Sequence, residues 1–156
     1  GLRQELARVL VEAALSRLET QRAFYEEGRI TVDRYIDASR QVRDAQLRLA
    51  KTKERRVSAS RLHLQRLSAV LMREMDELQV GRGTIADVTE VEQALDLATV
   101  ELYEAEPSAG AVDVRGIEQE VRFSKKRRED VRRLIELRGA PPSSPGESKV
   151  SPSPIR

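Results

Sequence analysis

The sequence predicts an all-α protein: an antiparallel coiled coil or four-helix bundle built from two helix–glycine turn–helix repeats, followed by a C-terminal helix and a disordered tail. Three observations predict this class. Apolar residues recur every three or four positions over most of the chain, as they do on one face of a helix. Glycine and proline stand mainly between these stretches. Two glycine-containing segments also repeat each other at a fixed spacing.

The composition limits the classes of protein that fit. The chain has 156 residues, with 28 Lys+Arg against 26 Asp+Glu, and its apolar fraction of 39% is too low for a thick globular core. It has no cysteine and a single histidine, His63, which we expect to be partly buried or on the surface. No metal cluster, catalytic pair or membrane-spanning run is evident. We therefore expect a protein that is not an enzyme and binds no cofactor or metal.

Proline and charge divide the chain into three parts. Residues 1–106 are expected to form a duplicated helical-hairpin module, residues 107–138 a loop and a basic C-terminal helix, and residues 139–156 a disordered tail. Pro107 opens the loop, and five of the six prolines lie in the last sixteen residues. The tail has too few apolar side chains to offset an ordering entropy of ~1–2 kcal/mol per residue.

Thin apolar seams run along the first three helical stretches. Their spacing averages close to 3.5 residues, which is typical of a coiled coil, and a helix with one such stripe needs a partner to be stable. The seams contain Val11, Leu15, Leu18 and Tyr25; then Tyr35, Ala38, Val42, Ala45 and Leu49; then Val57, Ser60, Leu64, Leu67, Leu71, Met75 and Leu78.

The region between the two glycine segments allows two interpretations. Residues 32–80 contain no Gly or Pro, so one helix of about 70 Å is possible at ~1.5 Å per residue. The polar run at residues 51–56 interrupts the seam, and Thr52 could cap a new helix. We expect a break or tight hairpin near Thr52, which closes a four-helix bundle. One long helix with shorter partners on each half is the alternative.

The internal repeat locates the two turns. A shift of 53 residues places Gly28 on Gly81 and Thr31 on Thr84. Glycine adopts the left-handed conformation that ends helices without steric cost, so each glycine should terminate a helix. Each threonine should then cap the next helix by accepting a hydrogen bond from its first turn, with a contribution of about 1 kcal/mol.

Both turn segments share a local pattern. In the segments from Tyr25 to Val32 and from Leu78 to Val88, an aromatic or apolar residue is followed three positions later by glycine, then by a small polar residue and the start of an amphipathic helix. This pattern resembles the repeat of the TolC-type outer-membrane efflux protein family, over residues 10–106. The resemblance concerns the helical hairpins only, since no alternating strand pattern of a barrel accompanies them.

In that family the turns form the periplasmic tip of a helical tunnel and contact the hairpin of an adaptor protein. The resemblance therefore implies a non-catalytic, efflux-type interaction module, and its seams offer self-association as a further contact. It implies a cell-envelope or periplasmic location; without it we expect a cytoplasmic protein, and the start at Gly1 also leaves a fragment possible. The implied contact residues are Gly28, Arg29, Thr31, Gly81, Arg82, Gly83 and Thr84.

A basic cluster near the C-terminus offers an alternative function. Residues 122–133 could make the chain a cytoplasmic basic helical protein that binds nucleic acid or an anionic surface. Only one aromatic residue accompanies the cluster, so a solvated polar face is the simpler interpretation. The basic residues are Arg122, Lys125, Lys126, Arg127, Arg128, Arg132 and Arg133.

Overall fold

The computed structural model describes residues 1–106 and, further along, residues 125–126, 129–130 and 133. Residues 1–106 form four α-helices and contain no strand, so the predicted all-α class is confirmed for this part of the chain. The helices are α1 (Leu2–Glu26), α2 (Val32–Leu49), α3 (Lys53–Gln79) and α4 (Ile85–Ala105).

The chain divides into a first unit, residues 1–114, and a second, residues 115–156. The four helices belong to the first unit. The five described residues of the second unit are helical, as predicted for the C-terminal helix. The other expectations for residues 107–138, and the predicted tail at residues 139–156, lie outside the described residues.

The predicted break near Thr52 is confirmed. The helix α2 ends at Leu49 and α3 begins at Lys53, with Ala50 in an extended conformation between them. The hydroxyl oxygen of Thr52 accepts a hydrogen bond from the backbone N–H of Arg55 at 3.3 Å. The new helix therefore has a side-chain cap at the point where the seam lapses, and one long helix is ruled out.

Neighbouring helices run antiparallel. Lys51, just after α2, donates a hydrogen bond to Gln4 at the start of α1, with 3.0 Å between Nζ and Oε1. Arg61 near the start of α3 forms an ion pair of 3.5 Å with Glu106 just after α4. The path is thus up, down, up, down, and both glycine turns lie at the same end of the bundle.

The core follows the predicted seams closely in α2 and α3. All seven predicted seam residues of α3 are buried, and in α2 only Leu49 remains half-exposed. The α4 residues that match the α2 seam after a shift of 53 are buried as well, so the repeat extends from the turns into the core. These α4 residues are Val88, Val91, Leu95, Ala98 and Leu102.

The helix α1 is less enclosed than the sequence predicts. Leu18 and Tyr25 are buried and Val11 is half-buried, but Leu15 is largely exposed, so its predicted place in the core was wrong. The reason is the arrangement of the bundle: α2 packs against α1, α3 and α4, whereas α1 packs mainly against α2. Residues of α1 that point away from α2 are therefore not covered by another helix of residues 1–106.

Candidate functional site

The first turn ends α1 with a double hydrogen bond. Gly28 has φ +74°, in the left-handed region, and its N–H donates to the carbonyl oxygen of Tyr25 at 3.0 Å. The N–H of Arg29 donates to the carbonyl oxygen of Phe24 at 2.7 Å. These two bonds define a Schellman motif, which satisfies carbonyl groups that the end of a helix leaves unpaired.

The second turn repeats this geometry. Gly81 has φ +83°, and its N–H donates to the carbonyl oxygen of Leu78 at 3.1 Å. The N–H of Arg82 donates to the carbonyl oxygen of Glu77 at 2.8 Å. Every donor and acceptor is shifted by 53 residues from the first turn. The predicted glycine conformation is thus confirmed at both positions.

Gly83 distinguishes the second turn from the first. Its N–H also donates to the carbonyl oxygen of Glu77, at 3.0 Å. A Cβ at this position would lie 2.9 Å from the backbone nitrogen of Leu78, which is too close for any other residue without a backbone shift. The first turn has Ile30 at the matching position. The second turn therefore folds more tightly onto the helix that precedes it.

The arginine after each glycine is anchored to the end of the preceding helix. The guanidinium of Arg29 lies 4.4 Å from the ring centre of Phe24 and 3.4 Å from the carboxylate of Glu27. The Nε of Arg82 lies 3.1 Å from the carboxylate of Glu77. Both arginine side chains remain more than half exposed, so each turn presents one cation to solvent.

The two threonines start their helices differently. The hydroxyl oxygen of Thr84 accepts a hydrogen bond from the N–H of Asp87 at 3.1 Å, as predicted. The predicted bond to Thr31 is wrong: Thr31 occupies the N-cap position, but its side chain accepts no hydrogen bond there. The N–H of Arg34, which matches that of Asp87, donates instead to the carbonyl oxygen of Thr31 at 3.2 Å. That amide is therefore already satisfied.

A buried polar cluster lies close to the two turns. The rings of Tyr25 and Tyr35 stack with centroids 5.1 Å apart, and the hydroxyl of Tyr25 donates a hydrogen bond to the carboxylate of Glu74. Burial raises the pKa of both groups of this pair. The guanidinium of Arg73 lies 5.0 Å from the ring centre of Tyr25 and donates to the carbonyl oxygen of Glu26 at 2.8 Å. The cluster therefore ties α3 to the end of α1.

A second polar cluster joins α2 to α3. The hydroxyl of Ser39 lies 2.8 Å from Nδ1 of His63, and the Nε of Arg66 donates to the same hydroxyl oxygen at 2.7 Å. Since Arg66 can only donate, the hydroxyl proton of Ser39 is free to point at Nδ1. His63 is 2% exposed, and burial together with nearby guanidinium groups lowers its pKa to about 3. The histidine is therefore neutral.

This serine–histidine pair lacks two features of a nucleophilic site. Ser39 is completely buried, so no substrate atom can approach its oxygen. The charged groups that shift the pKa of His63 are arginines, whereas a catalytic histidine is normally oriented by a carboxylate. The cluster is suited to fixing the register of α2 against α3.

A partly buried ion pair joins α2 to α4. Arg43 is buried and donates through Nη1 to the carboxylate of Glu101. It also donates through Nε and Nη2 to one carboxylate oxygen of Asp44, at 3.0 and 2.9 Å. The sequence pattern did not predict that Ser39, Arg43 and Glu74 face inward. The only available signal was their position beside seam residues, and charged residues are rarely buried.

The basic cluster falls mostly outside the described residues. Lys125, Lys126 and Arg133 are helical and exposed, while Arg122, Arg127, Arg128 and Arg132 are not described. Glu129 and Asp130 are also exposed, one helical turn after Lys125 and Lys126. At the described positions, therefore, acidic residues alternate with basic ones.

Comparison of the chain with known protein families, curated proteins and solved structures finds no match. Among the described residues, no helix is long and apolar enough to cross a membrane. The same residues contain no group of three or more acidic or histidine side chains arranged to hold a metal ion.

Proposed function

We propose that the chain is a non-catalytic helical interaction module that contacts a partner protein through its two turns. The observation that carries the proposal is the repetition of the turn at one end of the bundle, with Arg29 and Arg82 exposed at matching positions. The resemblance to TolC-type proteins supports a helical hairpin of an adaptor-type protein as the partner. The same resemblance supports an efflux-type role in the cell envelope.

The exposed face of α1 supports a contact between helices, with a partner or a second copy of the chain. Leu6 and Leu10 are 55% and 49% exposed, which is unusual for leucines on one face of a helix. A shift of 53 residues places them on Ala59 and His63, which are buried in α3 where His63 meets Ser39 of α2. In α3 this face has a neighbouring helix; in α1 it has none among residues 1–106.

The turn contacts can be tested by replacing both arginines. The double variant Arg29→Ala/Arg82→Ala should release a partner that copurifies with the full chain, because it removes both exposed cations and leaves the glycines in place. A matched control replaces two exposed arginines away from the turns, Arg8→Ala/Arg48→Ala, and should retain the partner. Circular dichroism checks that both variants remain helical. The proposal is wrong if the turn variant and the control retain the same partners equally.

Association through α1 has a separate test. The variant Leu6→Ser/Leu10→Ser should be monomeric under conditions in which the wild-type chain sediments as an oligomer. A control, Leu97→Ser/Val100→Ser, removes two exposed apolar residues of α4 and should sediment like the wild type. If both variants and the wild type sediment alike, the α1 face is not a contact between copies.

The alternative function, binding of nucleic acid or an anionic surface through residues 122–133, has one supporting observation. Lys125, Lys126 and Arg133 are exposed on a helix. Titration of the chain with labelled duplex and single-stranded DNA at low salt tests this alternative. If this alternative is correct, the affinity for DNA should fall steeply as the salt concentration rises, because each neutralised phosphate releases counterions. If no binding is detected at low salt, this alternative function is wrong.

A further inference from the structure

A groove between α1 and α3 combines apolar walls with polar groups at its floor. It has a volume of about 440 Å³, in the range typical of small-molecule sites. Leu15 of α1 and Leu62 and Ala69 of α3 line its exposed sides. Tyr35 of α2 and Val70 of α3 are buried at its base. The groove lies along the flank of α1 that no other helix of residues 1–106 covers.

The hydroxyl of Tyr35 is an unused hydrogen-bond donor in this groove. Tyr35 is 7% exposed and its ring stacks on Tyr25, yet its hydroxyl has no hydrogen-bond partner among the described residues. Burial raises the pKa of Tyr35, while the guanidinium groups of Arg22 and Arg66, which line the same groove, act to lower it. The hydroxyl oxygen is accessible from the groove, so a ligand there can accept its hydrogen bond.

Arg66 brings a positive charge to the same groove without a carboxylate partner. Its Nε and Nη2 donate to the hydroxyl and carbonyl oxygens of Ser39, at 2.7 and 3.4 Å. No ion pair joins it to a described residue, and its Nη1 has no acceptor among them. A half-buried charge is costly unless it is paired, so this guanidinium favours an anion beside it.

Among the other charged groups that line the groove, Arg22 and Glu26 form an ion pair. Arg22 pairs with the carboxylate of Glu26 at 3.1 Å, and Arg73 donates to the carbonyl oxygen of Glu26. Glu19 lies on the exposed side of α1 and makes no ion pair with Arg66. Arg66 and Arg73 therefore form no ion pair with a described residue, and both line the groove together with Tyr35.

We propose that this groove binds an amphipathic carboxylate. The carboxylate accepts hydrogen bonds from Arg66 and from the hydroxyl of Tyr35, and the apolar part of the ligand lies along Leu15 and Leu62. Leu62 is one helical turn from Arg66, about 6 Å at ~1.5 Å per residue, so an apolar chain of several carbons can reach it from the carboxylate. The groove lining carries three arginines and two glutamates, a net charge of +1 that a singly charged carboxylate balances better than a doubly charged phosphate. This site does not depend on the partner contacts of the turns.

Isothermal titration calorimetry of the full chain tests the proposal with octanoate as the probe. Octanoate should bind saturably, with one molecule per chain. Octanol keeps the apolar body and lacks the charge, so it should bind at least about tenfold more weakly, the loss expected for hydrogen bonds to a charged group. Octyltrimethylammonium should show no binding, because it places a cation beside Arg66.

Two variants locate the binding. Tyr35→Phe removes one oxygen and should weaken octanoate binding about tenfold, whereas Tyr103→Phe outside the groove should have no effect. Arg66→Gln should weaken it further, whereas Arg48→Gln on the exposed face of α2 should not. Tyr35→Phe preserves the stacked ring, so it keeps the test valid if Arg66→Gln fails to fold.

Several outcomes would overturn the proposal. The proposal is wrong if octanol binds as tightly as octanoate, or if Tyr35→Phe binds octanoate as tightly as the wild type does. Uptake of many octanoate molecules without saturation would indicate partition onto the apolar face of α1 instead. If octanoate does not bind but a glutamate-containing amphipathic peptide does, the groove is a site for a protein helix. That result would also reject the proposal.

Discussion

At the scale of single residues, His63 is a buried histidine surrounded by positive charges. Burial has the largest effect on its pKa, followed by the positive charges of Arg43, Arg66 and Arg40. All four effects oppose protonation, which brings the pKa to about 3. The ring accordingly serves as a neutral partner for the hydroxyl of Ser39.

The low pKa of His63 predicts a pH dependence of stability. In the unfolded chain this ring takes up its proton near pH 6.5, while in the folded chain it does so only near pH 3. Below pH 6.5 the unfolded state therefore binds more protons, and the free energy of unfolding falls as the pH falls from about 6.5 to 3. At up to ~1.4 kcal/mol per pH unit, the expected loss is a few kcal/mol.

Urea unfolding of the wild type and His63→Gln at pH 7, 6, 5 and 4 measures this effect. Glutamine can still bond to Ser39 but does not titrate, so the stability of the variant should vary less with pH. The raised pKa of Glu74 has the opposite sign, because a raised carboxyl pKa adds stability at low pH. The contribution of Glu74 is present in both the wild type and His63→Gln, so it cancels when their pH profiles are compared. Parallel pH profiles would contradict the prediction.

The two N-cap threonines provide a matched pair of substitutions. Thr84→Ala should lower the free energy of unfolding by about 1 kcal/mol, because it removes the hydrogen bond from the N–H of Asp87. Thr31→Ala should cost less than half as much, since its side chain makes no such bond. Urea denaturation of both variants measures the difference. Equal losses would mean that Thr31 caps α2 in solution after all.

The interactions of Thr84, Thr31, Ser39 and His63 could be predicted from the sequence to different degrees. It predicted the cap at Thr84 because that interaction is local. It did not predict that the side chain of Thr31 accepts no hydrogen bond. That outcome depends on the backbone geometry of the turn, in which the N–H of Arg34 donates to the carbonyl oxygen of Thr31. It also did not predict the bond between Ser39 and His63, because that contact requires the register of two helices separated by a break.

At the scale of elements, the Schellman turns account for the hairpins. Both glycines have positive φ, and a Cβ at either would meet no atom within 4 Å. Only the backbone conformation therefore excludes other residues from Gly28 and Gly81. Gly83 is the reverse case, because the backbone of α3 occupies the space that a side chain would need.

Substitutions at Gly81 should follow the cost of the left-handed conformation. Gly81→Ala should lower the free energy of unfolding by about 1–2 kcal/mol, while Gly81→Asn should cost less because asparagine adopts this conformation more readily. Gly1→Ala, which meets open space at the start of α1, is the control and should be neutral. Thermal unfolding followed by circular dichroism measures all three. Equal losses for Ala and Asn would indicate a steric cause.

The break between α2 and α3 was also predictable from the sequence. Neither glycine nor proline marks it, but the apolar seam lapses between Leu49 and Val57. A helix continued through this region would have no buried stripe there, whereas a break lets α3 fold back onto α2. Thr52 then provides the cap.

At the scale of the whole molecule, the helices are enclosed to different extents. Helix α3 packs against both α2 and α4, while α1 packs mainly against α2. From Leu2 to Leu10, the large apolar side chains of α1 are 49–71% exposed. Detaching the first half of α1 therefore exposes little additional apolar surface, and its local stability should be low.

Hydrogen exchange should reveal this hierarchy. Backbone amides at residues 6–14 should exchange faster than those at residues 60–75, because local opening of α1 requires less free energy than opening of α3. Mass spectrometry of peptides from the deuterated full chain measures both segments. Unfolded peptides of the same sequences provide the control for intrinsic exchange rates. Equal protection of the two segments would show that α1 is held by contacts that the described residues do not include.

The sequence predicted the helices, the turns and most of the core, because each follows from local periodicity or turn chemistry. It did not predict how the hairpins pack. The exposure of Leu15 and the groove above Tyr35 both arise because α1 lacks the second neighbour that α3 has. That difference depends on the three-dimensional arrangement, since the two helices follow the same repeat in the sequence.

The duplication of the glycine turn, the corner at which each hairpin reverses direction, has a consequence for binding strength. The two corners share one backbone geometry and lie at one end of the same bundle, so a partner with two matching sites can engage both without opening the fold. Once the first is engaged, the second site meets its counterpart at a high effective concentration, and avidity can exceed the affinity of either corner by about 10²–10⁴-fold. If the turns contact a partner as proposed, two weak contacts of a few residues each can thus produce a long-lived complex.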